Sequence, residues 1–322
     1  MFVHETVLLE ETVGALHPRA GGRYIDCTVG GGGHTERLLQ LTQPDGQVLG
    51  LDQDESALNA AKIRLANDLH RLQLIHSNFR QLHTVAERLN FYPVDGILFD
   101  LGVSSPQFDD AERGFSYRND APLDMRMDRS QKETALQFLQ RLDERQIAQI
   151  LFEYGEERYA RRIAKKMVEA LVANQLQSTL QLAELVREAI PAAARRTGGH
   201  PAKRTFQAIR IALNDELQAL QEGLEAAFQL LKVDGRLAVI TFHSLEDRMV
   251  KQFFQKMSQG CICPPDFPIC QCGRQAQAEV VTRKALVPSD EELLRNPRAR
   301  SAKLRVLRRL QNVSSSTDGS TS

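Results

Sequence analysis

Tryptophan is absent, cysteine is limited to five residues, and no apolar run approaches the roughly 18 residues that a membrane-spanning helix needs. The five cysteines are an isolated Cys27 and four crowded between Cys261 and Cys272, too few and too local to staple a chain of 322 residues, so a disulfide scaffold is excluded. Excess charge is missing too: 41 basic against 41 acidic residues give a net of zero, which argues against a protein that coats nucleic acid nonspecifically. The opening MFVHETVLLEE carries acids where a secretory signal would carry basic residues. With no spanning segment either, the sequence predicts a cytoplasmic protein without a membrane partner. A 42% hydrophobic and 25% charged composition lies in the globular range and excludes disordered, collagen-like and coiled-coil chains. The length predicts one large domain or two of unequal size.

What is present first is a rhythm. Short β-rich runs alternate with amphipathic stretches through the first hundred residues, the pattern of βαβ units and a parallel sheet. The predicted strands are Tyr24–Val29, Gln47–Leu51, Leu72–His76 and Gly96–Asp100, and the predicted helices His34–Leu41, Glu55–Ala66 and Gln81–Asn90. After Asp100 a polar loop of some thirty residues leads into helical sequence from about Glu133 to Ile190 with no convincing strand, which reads as an insertion. The rhythm returns with a helix over Lys203–Glu222, another ending near Leu231, and a strand over Arg236–Phe242 after a turn at Asp234 and Gly235. Glu279–Lys284 and Lys303–Leu310 are further strand candidates suited to an antiparallel edge. The tail NVSSSTDGSTS is poor in apolar residues and reads as disordered.

The strongest local signal is the strand Tyr24–Val29 breaking into Gly30, Gly31, Gly32 and Gly33 just before a helix, because glycines let a backbone turn tightly and approach a ligand closely. The next strand leads into Asp52, about twenty residues on, where a carboxylate can accept from both ribose hydroxyls. Strand, loop, helix and acid at this spacing predict a nucleoside-cofactor site. A dinucleotide would set its pyrophosphate on the helix N-terminus. Here Asp26 stands four residues before Gly30, unwelcoming to an anion and favourable to a cation, an arrangement that resembles the first motif of class I S-adenosylmethionine-dependent methyltransferases; the plainer alternative is a strand-end carboxylate bonding to backbone. Phe79, after the third strand, is placed either to pack on an adenine or to fill the core. The fourth strand delivers Asp100 to the carboxyl edge of the sheet, where doubly wound folds bind ligands.

Ser105-Pro106-Gln107-Phe108 resembles the Asp/Asn/Ser-Pro-Pro-aromatic motif of methyltransferases that act on exocyclic amino groups of bases, departing from it at Gln107. The lone pair of such an amino group is delocalised into the ring, so acceptors on its hydrogens are needed to restore nucleophilicity. Longer blocks carry the likeness further: HETVLLEE at 4–11, DLGVSSPQFDDAERGFSYRNDAPLDMRMD at 100–128, GGHPAKRTFQAIRIALNDEL at 198–217, ITFHSLEDRMVKQFF at 240–254 and NPRARSAKLRVLRR at 296–309. These resemble the bacterial RsmH (MraW) family, which methylates the exocyclic amino nitrogen (N4) of a cytidine in 16S ribosomal RNA, in the decoding region. The resemblance implies an α/β class I Rossmann-like methyltransferase sheet with an inserted, mainly helical substrate-recognition domain. It implies a methyltransferase domain over 1–107 and 201–311, an insertion over 108–200 and a tail over 312–322. It also implies S-adenosylmethionine as cofactor, held by Gly32, Gly33, His34, Asp52, Phe79, Asp100 and Gln107, with Asp26 and Gly30 added from the residues themselves. The RNA partner is the small subunit or a late assembly intermediate of it, and a homodimer is left open.

Asp100, Ser105, Pro106 and His243 are the candidate catalytic residues. His243 and Ser244 follow the strand 236–242, but no Gly-x-Ser-x-Gly elbow surrounds Ser244, which leaves substrate positioning or, alternatively, a cap in which Ser244 starts the next helix. Basic residues without acids run from Ala189 to Asn214, and Arg195, Arg196, His200, Lys203 and Arg204 are the candidate grip on RNA phosphate, against the plain reading of a solvated face. A second basic block runs from Arg295 to Arg309. Cys261, Cys263, Cys270 and Cys272 leave three readings: a structural zinc, a disulfide or redox role, or reduced thiols in a surface loop. Two Cys-x-Cys pairs chelate less comfortably than the usual Cys-x-x-Cys, which weighs against zinc.

Overall fold

A computed structural model of the chain describes residues 5–196, 200–264, 267, 269 and 271–310. The expected tail, 312–322, and Cys270 lie outside the described residues. The chain divides into two compact units, Met1–Gly102 with Ala219–Ser322, and Val103–Gln218.

The first unit is α/β. Its order is α1 (Leu9–Ala15), β1 (Arg23–Asp26), α2 (Gly33–Leu41), β2 (Gln47–Asp52), α3 (Glu55–Arg64), β3 (Leu72–His76), α4 (Leu82–Arg88) and β4 (Val94–Asp100). The second unit then supplies α5 (Ser105–Asp109), α6 (Ala135–Arg141), α7 (Glu144–Gly155), α8 (Ala160–Val172), α9 (Thr179–Ala189) and α10 (Lys203–Asn214). The chain closes with α11 (Glu216–Leu230), β5 (Leu231–Thr241), α12 (Ser244–Ser258), β6 (Ala278–Val280), α13 (Asp290–Arg295) and β7 (Lys303–Arg309).

The described strands form one seven-stranded sheet in the order β3-β2-β1-β4-β5-β7-β6. The first five strands are parallel, with Tyr24 opposite Val48 and Gly96, while β7 runs antiparallel between β5 and β6. Each central strand feeds two cores in turn. Ile25, Leu49, Leu51, Ile97, Phe99, Leu237 and Val239 face one, and Tyr24, Val48, Leu98, Ala238 and Ile240 face the other. This double burial is why the strands read as continuous apolar runs rather than alternating ones. The result is the Rossmann-like sheet that the sequence predicts.

Several boundaries differ from the sequence reading. β1 ends at Asp26 rather than Val29, although Cys27 and Val29 still donate to Leu98 O and Leu51 O at 3.0 and 3.1 Å. The helix predicted over 203–222 is two helices, because Asp215 takes a left-handed φ of 50° between them. The turn at Asp234 and Gly235 is absorbed into β5 as an irregularity, with the register against β4 slipping between Val94 and Gly96. The strand expected at 279–284 is only Ala278–Val280, since Val281 and Thr282 both donate to Val306 O and the ladder ends there.

The second unit is helical around Met125, Leu139, Leu151, Ile163, Met167, Leu182, Val186 and Ile209. α6, α7 and α9 begin on reciprocal capping boxes, Thr134 with Gln137, Asp143 with Gln146 and Ser178 with Gln181, each satisfying two N–H groups that a helix start leaves bare. The polar stretch before them is ordered by Asn214, which accepts from Met127 N–H at 2.8 Å and donates to Met125 O at 2.9 Å. That bond places α10 with the insertion, so this unit runs to 218 and begins at 103, beyond the expected 108–200 at both ends.

Candidate active site

Three carboxylates stand at the carboxyl ends of neighbouring parallel strands: Asp26 on β1, Asp52 on β2 and Asp100 on β4. The loop after β1 is shaped by Gly30 at φ 51° and Gly32 at φ 83°, left-handed values that disfavour any side chain, and Gly32 is the N-cap of α2. A Cβ at Gly33 would lie 1.9 Å from Thr6 Oγ1, so the N-terminal segment closes on the helix start and only glycine fits between them. Gly30 N–H donates to Asp52 Oδ2 at 2.7 Å and Asp54 N–H to Asp52 Oδ1 at 2.9 Å. Burial pushes Asp52 up to about 6 against the pull of those two N–H groups.

Asp26 sits beneath the loop rather than on its rim. It is wholly buried, with Thr35 Oγ1–H donating to Oδ2 at 2.6 Å and Thr28 N–H to Oδ1 at 3.1 Å. Burial raises it to about 6. The arrangement is that of the plainer alternative, a strand-end carboxylate that fixes the glycine loop. Thr28 and Thr35 were not singled out from the sequence; the Asp-x-Thr spacing of Asp26 and Thr28 is the signal that could have marked one of them.

Asp100 differs from both. Its backbone N–H donates to Thr28 Oγ1 at 2.6 Å, while its Oδ1 is buried with no hydrogen-bond partner. The side chain keeps 24% of its surface, none of it at Oδ1. Burial, then the charges of Asp26 and Glu246, push Asp100 up to about 8. His34 Nδ1 stands 3.8 Å from Asp100 Oδ2. The His34 ring is buried, its Nε2–H pointing to Val7 O at 3.1 Å, and desolvation lowers it to about 4. It is therefore neutral near pH 7 and turns a bare nitrogen, not a charge, towards Asp100. A cation arriving at this edge meets an unpaired acid.

Phe79 lies in a short 3-10 turn after β3, half-buried, its ring edge-on to Phe99 at 5.4 Å. One side therefore serves the core, as the second of the two sequence readings has it, and the rest is open. At the end of β5 the cap of α12 is His243 itself, not Ser244. Its Nδ1 accepts from Glu246 N–H at 3.4 Å, and Glu246 Oε2 accepts from the N–H groups of Phe242 and His243 at 2.8 and 3.2 Å. His243 Nε2 is buried 3.1 Å from Glu246 Oε1 but without hydrogen-bond geometry. Glu246, which the sequence places with Asp247 in the first turn of this helix, is a buried acid that also raises Asp100.

In the second unit Ser104, rather than Ser105, caps α5: Ser104 N–H donates to Gln107 Oε1 at 3.0 Å, and Gln107 is buried. Ser105 and Pro106 occupy the first two helical positions, half-buried and exposed. Arg195 donates to Ile190 O at 2.7 Å and Arg204 to Glu156 O at 3.1 Å. His200 stacks on Tyr117 at 4.2 Å, and Lys203 is exposed. The side chain of Arg196 lies outside the described residues. In the second basic block four residues pair with acids elsewhere in the chain, Lys303 and Arg305 with Asp247 at 3.0 and 2.7 Å, Arg308 with Asp234 and Glu279, and Arg295 with Glu5, while Arg309 donates to the carbonyls of Phe228 and Gln229. Cys261, Cys263 and Cys272 come together in the loop after α12, outside any disulfide.

Comparison with known proteins gives consistent results. Residues 1–310 match the MraW methylase family. Among curated relatives, a protein named ribosomal RNA small subunit methyltransferase H from Symbiobacterium thermophilum is 56% identical over 96% of this chain and 98% of its own length. Proteins of the same name from Brevibacillus brevis and Heliobacterium mobile are 53% and 55% identical, covering 96% of this chain and 98% and 99% of their own lengths. Solved structures are more distant: an rRNA methylase from Streptococcus thermophilus covers 96% of this chain and all of its own at 12% identity and a TM-score of 0.43, too far to bear on the reaction.

Proposed function

The chain belongs to the MraW methylase family, and from that premise we propose that it transfers a methyl group from S-adenosylmethionine to the exocyclic N4 of a cytidine in 16S ribosomal RNA. The observation that carries this reading is the unpartnered buried Oδ1 of Asp100 beside the glycine loop and Asp52. A nucleoside bearing an ammonium and a sulfonium fits this edge, whereas a pyrophosphate would meet acids.

S-adenosylmethionine, when bound, supplies an activated methyl group. The rest is done by the chain. Asp52, its two oxygens held by Gly30 and Asp54, accepts from ribose hydroxyls, and the open side of Phe79 packs on the base. Asp100, protonated near neutrality in the ligand-free protein, releases its proton to pair with the positive charge of the cofactor, for which its Oδ1 has no other partner. Catalysis of an in-line displacement is then mainly positioning. The cytosine amino nitrogen carries no extra proton near neutrality, so no strong base acts before attack; the proton lost afterwards goes to water or to Asp100. His34 keeps a neutral ring beside that carboxylate, and His243 orders the start of α12 through Glu246.

The substrate is RNA of the small subunit or of a late assembly intermediate, gripped by Arg195, Arg196, His200, Lys203 and Arg204, with Ser105, Pro106 and Gln107 addressing the target amino group. Mass spectrometry of ribosomal RNA from cells lacking this gene, before and after complementation, tests the reading. Loss and return of one N4-methylated cytidine in 16S RNA supports it; an unchanged nucleoside profile overturns it.

A further inference from the structure

The loop joining α12 to β6, residues 259–277, has neither helix nor strand of its own among its described residues, a length at which a compact domain needs some other tie. Among its described residues the large apolar side chains, Ile262, Phe267 and Ile269, are all exposed and supply no core. Its far end is pinned by Gln277 N–H donating to Met257 O at 3.0 Å. What holds its middle is sulfur. The Sγ atoms of Cys261, Cys263 and Cys272 all lie within 4.8 Å of one another.

The geometry is that of a metal cradle. With metal–sulfur bonds of about 2.3 Å, a regular tetrahedron sets its sulfur–sulfur edges at about 3.8 Å. Cys261 Sγ and Cys272 Sγ stand 3.7 Å apart, well beyond the roughly 2.05 Å of a disulfide. Each sulfur also accepts a backbone N–H: Ile262 N–H donates to Cys272 Sγ at 3.4 Å, Cys263 N–H to Cys261 Sγ at 3.4 Å and Gln271 N–H to Cys263 Sγ at 3.3 Å. A thiol is a weak acceptor. Three peptide N–H groups turned onto three converging sulfurs suit thiolates, and converging thiolates require a cation.

We propose that Cys261, Cys263 and Cys272 are ligands of a structural zinc ion that fixes the loop between α12 and β6. Soft thiolate ligands select such a metal, and its structural sites are built largely on cysteine sulfur. The metal takes no part in methyl transfer; it stands in for the core that this loop lacks.

The test uses the full chain, untagged and kept reduced with a phosphine, loaded with zinc and freed of excess by gel filtration. Elemental analysis should find about one zinc per chain, and fewer than about 0.2 overturns the proposal. Cys261→Ser with Cys272→Ser should retain none while keeping the far-ultraviolet circular dichroism of the folded protein. Zinc retained at the wild-type level by that double variant also overturns it. Should the variant not fold, cobalt(II) loaded into the wild-type chain decides the matter: sulfur-to-cobalt charge-transfer absorption supports thiolate ligation, and its absence contradicts it. Protease cleavage within 259–277 should accelerate when a chelator removes zinc from the wild-type protein; an unchanged rate removes the loop-fixing role.

Discussion

At the scale of single residues, the site rests on what each carboxylate is bonded to. Asp52 is fixed by two N–H groups, so Asp52→Ala loses both the anchor of the glycine loop and the acceptor for ribose. Calorimetry should show cofactor binding weakened by about 1.5 to 3 kcal/mol, or about 10 to 150-fold, with Asp52→Asn recovering part because an amide keeps one acceptor oxygen. Wild-type affinity in the Ala variant would remove Asp52 from the site. Asp100 titrates apart from its neighbours. Its carboxyl is raised from 3.8 to about 8, so the folded state holds a proton that the unfolded chain has released, and the stability this contributes is lost as pH rises towards 8. Asp26 and Asp52, raised to about 6, act in the same direction at lower pH, while His34, lowered to about 4, acts oppositely below its ordinary 6.5. Between pH 6.5 and 8 the Asp100 contribution stands alone among these four. The melting temperature of the ligand-free protein should fall across that window and Asp100→Asn should flatten the fall; an equal slope in both proteins would contradict the assignment. The strand ends named Asp52 and Asp100 in the sequence, because a β-run stopping at an acid is visible there. It could not show that Asp26 turns under the loop, since that depends on Thr35 reaching back across nine residues.

At the scale of elements, the parallel strands and their helices were legible because both faces of the sheet are buried and turn residues such as Pro44, Asp45 and Gly46 fall between runs. What was not legible was how a strand ends. β6 stops where one carbonyl, Val306 O, receives two donors, and the helix predicted over 203–222 breaks at a left-handed Asp215, neither of which has a pattern in hydrophobicity. The closing of the N-terminal segment onto α2 was equally hidden, and it yields a prediction. Gly33→Ala drives a methyl group into Thr6 Oγ1 and should cost about 1 to 3 kcal/mol, as overpacking does. Adding Thr6→Ala should restore most of that stability in denaturant titrations. A double variant as unstable as the single one would show that the strain lies elsewhere.

At the scale of the whole molecule, neutral net charge hides an uneven distribution. In the block from Arg295 to Arg309, four residues, Arg295, Lys303, Arg305 and Arg308, are paired with Glu5, Asp247, Asp234 and Glu279, whereas the hydrogen bonds of Arg195 and Arg204 go to backbone carbonyls. Sequence alone could not separate the two basic runs, because the acids paired with the second lie 29 to 290 residues away in the chain. Replacing Arg195, Arg196, Lys203 and Arg204 together with Ala should therefore leave cofactor affinity nearly intact, weaken binding to small subunits and flatten its salt dependence by roughly one unit of slope for each phosphate no longer neutralised. Arg204 also caps the end of α7 at Glu156 O, so folding of the variant is verified first by circular dichroism. Unchanged subunit affinity and salt slope in the folded variant would place the RNA grip elsewhere on the molecule.

The central claim is the transfer itself, and a single-turnover reaction with isotopically labelled S-adenosylmethionine and unmethylated small subunits tests it most directly. Stoichiometric label on N4 of one cytidine in 16S RNA is expected, with the rate sharply reduced in Asp100→Ala. Label on another atom, or no label on RNA from a folded, cofactor-binding enzyme, would contradict it.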